Sequence, residues 1–275
     1  MDTIEKIGNS VIQHGKYNDR VYLMKLDPSD IPSIMDKMDF LAEQKHYSKI
    51  FTKVPESFKK LFCKRGYICE ASIPKYYDGI KDAVVMSKFL DPERSINRLN
   101  EMHKNVIETA LSKEEISHSS LPSGYSIKKC TQEDIENMAD VYQETFETYP
   151  FPIHDQDYLR KTMEENIIYF GVFKDGKIVA LSSAEIDYEH SNVEMTDFAT
   201  LSDFRGKGLS SQLLISMDKE MKILGIKTAY TIARASSDGM NIVFAKCGYD
   251  YCGRLINNTN ISGDIESMNI WYRCL

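Results

Sequence analysis

The sequence predicts an α/β fold built on a mixed β-sheet, and three features indicate this class. Segments rich in β-branched and aromatic residues alternate with helical segments along both halves of the chain. Hydrophobic residues make up 42% of the 275 positions and charged residues 27%, which is typical of a globular protein and argues against wholesale disorder. A polar run with proline and glycine, Ser117–Gly124, divides the chain, so we expect an N-terminal α/β domain over residues 1–120 and a second domain over residues 121–275.

Local patterns predict the elements of the second domain. Thr131 begins a helix with a capping sequence, and apolar residues at three- and four-residue steps predict another helix at Leu209–Leu224. A further helix is expected at Gly239–Lys246, and Asp175-Gly176 suits a hairpin turn because both residues can adopt positive φ. The predicted strands are Tyr125–Lys129, Ile167–Phe173, Lys177–Ile186, Val193–Leu201, Lys227–Ala233, Tyr249–Ile256 and Met268–Arg273.

The N-terminal part shows a related order of elements. We predict strands at Arg20–Leu26, Lys49–Val54 and Tyr67–Ile73, and helices at Ile31–Gln44, Ser57–Cys63 and Asp91–Glu115. Two strings recur 182 residues later: Met35-Asp36-Lys37 as Met217-Asp218-Lys219, and Phe62-x-Lys64-x-Gly66-Tyr67 as Phe244-x-Lys246-x-Gly248-Tyr249. We interpret the N-terminal domain as a degenerate, partial copy of the C-terminal one; an unrelated α/β extension is the alternative.

Composition and the distribution of apolar residues limit the expected binding partners and the expected cellular compartment. The net charge of -7 repels phosphate backbones, so no nucleic-acid partner is expected. The start, MDTIEK, has no apolar run typical of a secretory signal, and no segment is apolar over the length of a membrane span, so we expect a cytoplasmic protein without a membrane partner. Six cysteines without paired spacing indicate reduced thiols, and no metal site is visible.

A glycine-containing loop between a predicted strand and a helix is the most informative string. It reads Arg205-Gly206-Lys207-Gly208-Leu209-Ser210. The first backbone N–H groups of a helix have no partners within the helix, and the helix dipole adds partial positive charge there. The two glycines let the backbone approach a ligand closely, and Arg205 and Lys207 add cationic charge. The loop therefore suits a pyrophosphate, although neither the Walker nor the dinucleotide glycine pattern is complete.

The same loop resembles the R/Q-x-x-G-x-G/A signature of the GNAT acetyltransferase superfamily, with Ser210 where that family prefers glycine or alanine. A second segment, Asn241 to Gly248-Tyr249, is similar to the N…K-x-G-F/Y motif of the family. The resemblance covers about Tyr125–Arg273. It implies a GNAT-like acyl-CoA N-acyltransferase domain, preceded by a partial GNAT-like domain, with acetyl-CoA as cosubstrate and no metal. It also implies the cofactor contacts: Phe198, Ala199 and Thr200 beside the pantetheine arm, Arg205, Gly206, Lys207, Gly208, Leu209 and Ser210 at the pyrophosphate, and Asn241 near the thioester.

Acetyl transfer to an amine needs a group that accepts a proton. Because the pKa of a lysine-type amine is about 10.4, only about one molecule in a thousand or fewer is neutral at pH 7. Glu194, in the strand before the loop, is our preferred catalytic base. Asp197 is a reserve candidate, because it reaches the same face only if the strand carries a bulge. Phe244 stands where many relatives have a tyrosine acid, which leaves Tyr249, Tyr251 or unassisted departure of the thiolate as options.

A closer resemblance concerns the substrate. Glu194-Met-Thr-Asp-Phe-Ala199, Met268-Asn-Ile-Trp-Tyr272 and the N-terminal extension with Met86–Arg94 look like the β-lysine N-acetyltransferases. That resemblance implies a small-molecule amine acceptor, β-lysine, whose ε-amine is acetylated to give the compatible solute Nε-acetyl-β-lysine. The alternatives are another small amine, a protein lysine, or a non-catalytic acyl-CoA-binding protein. The oligomeric state, with a homodimer as one option, is left open.

Overall fold

The computed structural model describes residues 2–116, 120–261 and 263–275, and within them the strands form one continuous thirteen-stranded mixed sheet. From edge to edge the strands follow the order β1-β2-β3-β4-β6-β5-β12-β13-β11-β10-β9-β8-β7. Ser117, His118 and Ser119 of the predicted boundary lie outside the described residues. In the described part of the chain, no helix is both long and apolar enough to cross a membrane.

The bounds of the elements are as follows. The strands are β1 (Thr3–Ile7), β2 (Ser10–Gly15), β3 (Arg20–Lys25), β4 (Lys49–Pro55), β5 (Ile68–Tyr77), β6 (Lys81–Phe89), β7 (Tyr125–Lys129), β8 (Ile167–Lys174), β9 (Lys177–Asp187), β10 (Asn192–Thr200), β11 (Thr228–Arg234), β12 (Asp250–Ile261) and β13 (Asp264–Cys274). The α-helices are α1 (Ser33–Lys45), α2 (Lys59–Lys64), α3 (Asn100–Leu111), α4 (Ile135–Thr145), α5 (Gln156–Glu165), α6 (Leu209–Ile223) and α7 (Asp238–Lys246).

Most elements agree with the sequence predictions, and the misses have local causes. The predicted helix at Asp91–Glu115 is wrong as one element: a short 3-10 turn at Pro92–Ser95 is followed by a separate helix, α3. Asp91 does cap that turn, accepting a hydrogen bond from the backbone N–H of Glu93. Strands β1, β2 and β6 and helix α5 were not predicted. Helix α5 is strongly polar, with only Leu159 and Thr162 buried, so few apolar residues mark its inner face.

The two halves of the sheet share one connectivity. In the N-terminal half, β3 and β4 are parallel and joined through α1, and β4 pairs antiparallel with β6, which pairs with β5. In the C-terminal half, β10 and β11 are parallel and joined through α6, and β11 pairs antiparallel with β13, which pairs with β12. The interpretation of the N-terminal half as a copy stays a prediction, but both halves have this arrangement.

The recurring strings occupy equivalent places in the two halves. Met35 and Met217 are buried in helices α1 and α6. Phe62 and Tyr67 pack edge to face, with ring centroids 5.1 Å apart, and Phe244 and Tyr249 do the same at 5.2 Å. Both rings of each pair are buried, and each pair packs a helix, α2 or α7, against the strand that follows it, β5 or β12.

The halves meet where β5 lies beside β12. Gly253 pairs with Ala71, and a Cβ atom on Gly253 would lie 2.3 Å from the carbonyl oxygen of Glu70, so this approach requires glycine. A buried ion pair of the N-terminal half, Lys49 with Glu70 at 2.9 Å, lies beside the same seam. Lys49 Nζ donates to the carbonyl of Ile256, and the Glu70 carboxylate accepts from the backbone N–H of Ile256, so both members of the pair bind β12 across the seam.

Candidate active site

Strands β10 and β11 separate partway along their length. They pair in parallel only over Asn192–Glu194 and Thr228–Tyr230, although β10 continues to Thr200 and β11 to Arg234. Beyond this point a groove lies between the two strands, and neither strand supplies the other with backbone hydrogen bonds. A groove with exposed strand edges can accept an extended ligand as an additional strand.

A β-bulge interrupts β10 beside this groove. The register of β10 against β9 shifts between Thr196 and Ala199, and Asp197 has a φ of 55°. In a regular strand, Asp197 and Glu194 would point to opposite faces. The bulge changes the direction of Asp197, and both carboxylates now line the same cavity.

That cavity, of about 700 Å³, lies between the two halves of the molecule. Alternate residues of β3 and β4 face it from the N-terminal half, whereas the residues between them, including Val21 and Leu23, pack against helix α1. The N-terminal sheet is therefore covered by helices on one face and forms a cavity wall with the other. The side chains that form this wall include Arg20, Tyr22, Met24, Phe51 and Lys53.

Two glutamates face each other across the strands at the cavity. Glu194 on β10 pairs directly with Glu185 on β9. Burial raises the pKa of Glu194, and nearby Lys53 and a hydrogen bond from Tyr230 oppose that rise. The Glu185 side chain is open to the cavity, and desolvation between the cavity walls, followed by the neighbouring Glu194 charge, raises its pKa to about 7. A carboxylate with such a pKa is well matched to accepting protons near neutral pH.

Glu185 is not among the residues predicted from the sequence, although the sequence contains a signal for it. Strands β9 and β10 form a hairpin around Tyr188–Ser191, and the antiparallel register of that hairpin sets Glu185 opposite Glu194. Two glutamates at equal distance from a turn could therefore have been paired from the sequence. Glu194, the predicted base, thus has the carboxylate of Glu185 beside it.

Asp197 is held by a network of hydroxyl groups. Tyr149 donates a hydrogen bond of 2.6 Å to one carboxylate oxygen, and Ser183 donates one of 2.5 Å to the other. Burial raises the pKa of Asp197, although these hydrogen bonds and one from Thr196 act in the opposite direction. Because its oxygens already accept these bonds, Asp197 is less free than Glu185 to take a proton from a ligand.

A buried lysine from the N-terminal half reaches the same carboxylates. Lys53 Nζ donates a hydrogen bond of 2.5 Å to the hydroxyl of Tyr230 and lies over the rings of Tyr76 and Tyr230. Tyr230 is in turn hydrogen-bonded to Glu194. The site is thus composite, since Glu194 is linked through one tyrosine to a lysine that lies far away in the sequence.

The glycine loop follows directly after the end of β10. Gly206 and Gly208 have φ values of 76° and 73°, and a Cβ atom added at either would meet nothing within 4 Å. No side chain caps the first turn of α6, which begins at Leu209. Arg205 Nε donates to the carbonyl of Thr200 and Lys207 Nζ to that of Asp203, so both cations fold back over the loop. The exposed loop thus offers uncapped N–H groups next to positive charge.

Not all the predicted cofactor residues border the cavity. Phe198 does, whereas Ala199 is buried in the core, and Thr200 and Arg205–Ser210 lie beyond the end of the cavity lining. Asn241 is fully buried, and its amide donates to the carbonyls of Arg234 and Ser237 and accepts from Asn269 and Trp271. This arrangement favours a structural role for Asn241, and contact of its side chain with a cofactor stays a prediction.

The suggested acid residues are also distant from the cavity lining. The Tyr249 hydroxyl donates a hydrogen bond of 2.6 Å to the buried Asp218, and Tyr251 packs edge to face against Trp271. Neither residue borders the cavity. The tyrosines that do border it are Tyr22, Tyr76, Tyr149, Tyr158, Tyr188 and Tyr230.

Comparisons with known proteins identify the family of the chain. Residues 135–249 match the model of the acetyltransferase (GNAT) family. The chain is 42% identical over 273 residues to a beta-lysine N(6)-acetyltransferase of Methanococcus maripaludis, covering 99% of each chain, and 36% identical over 256 residues to one of Methanosarcina mazei, covering 86% of this chain and 94% of that protein. It is 31% identical over 270 residues to the N-acetyltransferase YodP of Bacillus subtilis, covering 97% and 96%. The chain therefore belongs to the GNAT family of acetyltransferases.

Proposed function

We propose that this enzyme transfers the acetyl group of acetyl-CoA to the ε-amine of β-lysine and so produces Nε-acetyl-β-lysine. The proposal is supported by two relatives that carry the name beta-lysine N(6)-acetyltransferase and resemble nearly the whole chain. The observation that carries it is the cavity between the halves, where Glu185, Glu194 and Asp197 can attract an acceptor with two ammonium groups.

The glycine loop and the groove supply the cofactor site in this proposal. The pyrophosphate binds the N–H groups of Arg205, Gly206, Lys207, Gly208, Leu209 and Ser210, as expected at a helix N-terminus. The pantetheine arm lies along Phe198, Ala199 and Thr200, where β10 has no partner on the side of β11. Phe198 packs edge to face on Phe244, which gives the arm an apolar support.

The carboxylate pair supplies the proton acceptor. Glu194 or Glu185 takes a proton from the ε-ammonium, directly or through water, and the neutral nitrogen attacks the thioester carbonyl carbon. The new C–N bond forms, the C–S bond breaks, and the second proton of the amine passes to water. CoA leaves as a thiolate that takes up one proton from water. A thiol pKa of about 8.5 makes this departure feasible without a dedicated acid, in keeping with Phe244 near the groove.

The product has a physical property that fits a solute accumulated to high concentration. β-Lysine carries two ammonium groups and one carboxylate, so its net charge is positive. Acetylation removes one ammonium charge and leaves a neutral zwitterion. We place the reaction in the cytoplasm, where acetyl-CoA and an accumulated solute would both be found.

An amine panel tests the proposal. The purified protein is incubated with acetyl-CoA and with β-lysine, α-lysine, spermidine or a lysine-containing peptide, and CoA release is measured together with product mass. We expect β-lysine to give the highest kcat/KM and a product acetylated at N6. Faster turnover of another amine or of the peptide would replace the substrate assignment. Tight acetyl-CoA binding without turnover of any amine would instead indicate a non-catalytic acyl-CoA-binding protein.

A further inference from the structure

In the described part of the chain, one polar atom of each of two buried side chains in the cavity wall has no hydrogen-bond partner. Arg20 of β3 is 6% exposed and Asn258 of β12 is 1% exposed, and both line the cavity. Among the described residues, Arg20 Nε has no acceptor and Asn258 Oδ1 has no donor. Both side chains line the cavity, so a change of rotamer can turn these atoms toward a ligand there. An unpaired donor and an unpaired acceptor at one site favour a ligand that carries both charges.

The two residues are neighbours that the fold holds in place. Arg20 Nη1 donates to the carbonyl of Asn258, at 2.5 Å, and to the hydroxyl of Thr259, at 3.1 Å. The nearby Asp2 carboxylate is occupied by the backbone N–H of Tyr17 and the amide of Asn18. The other edge of the guanidinium, with Nε, therefore remains available to a second anion.

Aromatic side chains line the cavity between the Arg20–Asn258 pair and the carboxylates of Glu185 and Glu194. The Arg20 guanidinium lies over the rings of Tyr22 and Phe51, with each centroid 5.4 Å from Cζ. Tyr22 also lines the cavity, near enough to Arg20 and Glu194 for both charges to act on its pKa. Aromatic walls of this kind suit the methylene chain of a ligand that reaches from one end to the other.

We propose that Arg20 and Asn258 form the subsite for the amino-acid head group of the acceptor. Arg20 binds its carboxylate, and Asn258 Oδ1 accepts a hydrogen bond from the ammonium on its third carbon. The ligand class is an aliphatic diamino monocarboxylic acid, and its distant amine reaches Glu185 and Glu194. The inference rests on the proposed function and assigns part of the acceptor site to the N-terminal half.

The electrostatics of Arg20 agree with this assignment. Burial lowers the pKa of Arg20 to about 10, because few groups around it compensate for lost hydration. Arg20 remains charged at neutral pH, and a bound carboxylate would supply the missing compensation. Charge-assisted hydrogen bonds of this kind contribute more than neutral ones, and a guanidinium can bind a carboxylate through two parallel bonds.

Three acceptors that differ by one group each test the subsite. They are 3,6-diaminohexanoate, 1,4-diaminopentane, which lacks the carboxylate, and 6-aminohexanoate, which lacks the amine on the third carbon. In the wild-type enzyme we expect kcat/KM for 3,6-diaminohexanoate to exceed that for either analogue by roughly 10- to 100-fold. The Arg20→Gln variant should lose most of the preference over 1,4-diaminopentane, and Asn258→Ala most of the preference over 6-aminohexanoate.

Arg94→Gln is the matched control. Arg94 is also largely buried in the N-terminal half and donates to the carbonyl of Asn257, next to Asn258, but it does not line the cavity. It should keep both preferences. If Arg20→Gln fails to fold, Arg20→Lys is measured in the same way, and its preference for the carboxylate should also fall because the forked geometry is lost.

The outcomes separate the inference from the proposed function. If the wild-type enzyme acetylates none of the three compounds, the proposed function fails. If it acetylates 3,6-diaminohexanoate but the Arg20 variants slow all three acceptors equally, Arg20 has only a structural role and the inference is overturned. Equal losses of preference in the Arg94 and Arg20 variants would overturn it as well.

Discussion

The two halves of the sheet place different chemistry at equivalent positions. In each half, one parallel ladder pairs the strand before a helix, α1 or α6, with the strand after that helix. At the third pair of this ladder, the C-terminal half has Glu194 opposite Tyr230, whereas the N-terminal half has Tyr22 opposite Phe51. The same backbone arrangement therefore presents a carboxylate in one half and an aromatic wall in the other.

The connections that lead into α1 and α6 also differ between the two halves. The C-terminal loop has glycines with positive φ at Gly206 and Gly208, whereas the N-terminal connection, Leu26–Pro32, contains no glycine. The ladder of β3 with β4 also continues to a fourth pair, Leu23 with Thr52, whereas that of β10 with β11 ends after the third. We infer that only the C-terminal half binds the cofactor and that the N-terminal half contributes to the acceptor site.

The largest effect is expected from filling the glycine loop. Gly208→Val should abolish acetyl-CoA binding, because the side chain would lie where the pyrophosphate approaches the first turn of α6. Gly225→Val at the other end of the helix is a matched control, since Gly225 also has positive φ, 80°, and empty space around it. Each variant should lose about 1–2 kcal/mol of stability through backbone strain. Titration calorimetry with acetyl-CoA should separate them, and equal affinities would show that the loop is misassigned.

Removing the carboxylate of Glu194 should have the next largest effect. Glu194→Gln is expected to lower kcat/KM for the amine by roughly 10²-fold or more, in line with general-base contributions, while acetyl-CoA still binds. Tyr22→Phe changes the equivalent position of the other half by a single hydroxyl and should cost much less. Steady-state kinetics on both variants compare how much each of the two equivalent positions contributes to kcat/KM. A near-wild-type rate for Glu194→Gln would remove it from the base role.

The pH dependence should reveal the partner of Glu194. Since the pKa of Glu185 is raised to about 7, we expect wild-type kcat/KM to fall as the pH drops through that value and the carboxylate becomes protonated. Glu185→Gln should lower the rate by roughly 10-fold at pH 8 and move this acidic limb to lower pH, because only Glu194 then titrates. The same amine is used for both enzymes, so its own titration cancels. An unchanged limb would exclude Glu185 as its source.

Local patterns explain how much of this could be predicted. Strands β7 to β11, helix α6 and the glycine loop follow from alternation, helical periodicity and turn residues, all of which are local. The sequence also placed Glu194 beside the loop. It left Asp197 open, because the bulge depends on how β10 pairs with β9, a tertiary feature.

The composite cavity could not be predicted in this way. Arg20 and Lys53 lie in short apolar strands and look like ordinary strand residues in the sequence. Their contacts with Asn258 and Tyr230 span 238 and 177 residues, and they exist only because the two half-sheets join at the seam between β5 and β12. Physical reasoning on single segments has no access to such contacts, so the acceptor site required the structure.

The smallest expected effect concerns stability at the recurring Met-Asp-Lys strings. Asp218 is 7% exposed and contacts Tyr249 and Arg273, whereas its counterpart Asp36 is 61% exposed and pairs with Arg65 at the surface. Burial raises the pKa of Asp218 to about 6. The folded state therefore holds this proton more tightly than the unfolded chain, whose aspartate pKa is about 3.9. The resulting stabilisation is complete below pH 4 and is lost as the pH rises through 6.

Paired variants isolate this contribution. Between pH 4 and 7, wild-type stability should fall relative to that of Asp218→Asn by up to about 3 kcal/mol, since the amide cannot titrate. Asp36→Asn is measured in the same way as the exposed counterpart, because the Asp36 side chain loses little hydration on folding. Urea unfolding at a series of pH values gives both differences. A flat difference for Asp218→Asn would mean that Tyr249 and Arg273 compensate fully for its burial, and the two aspartates would then be energetically alike despite their different surroundings.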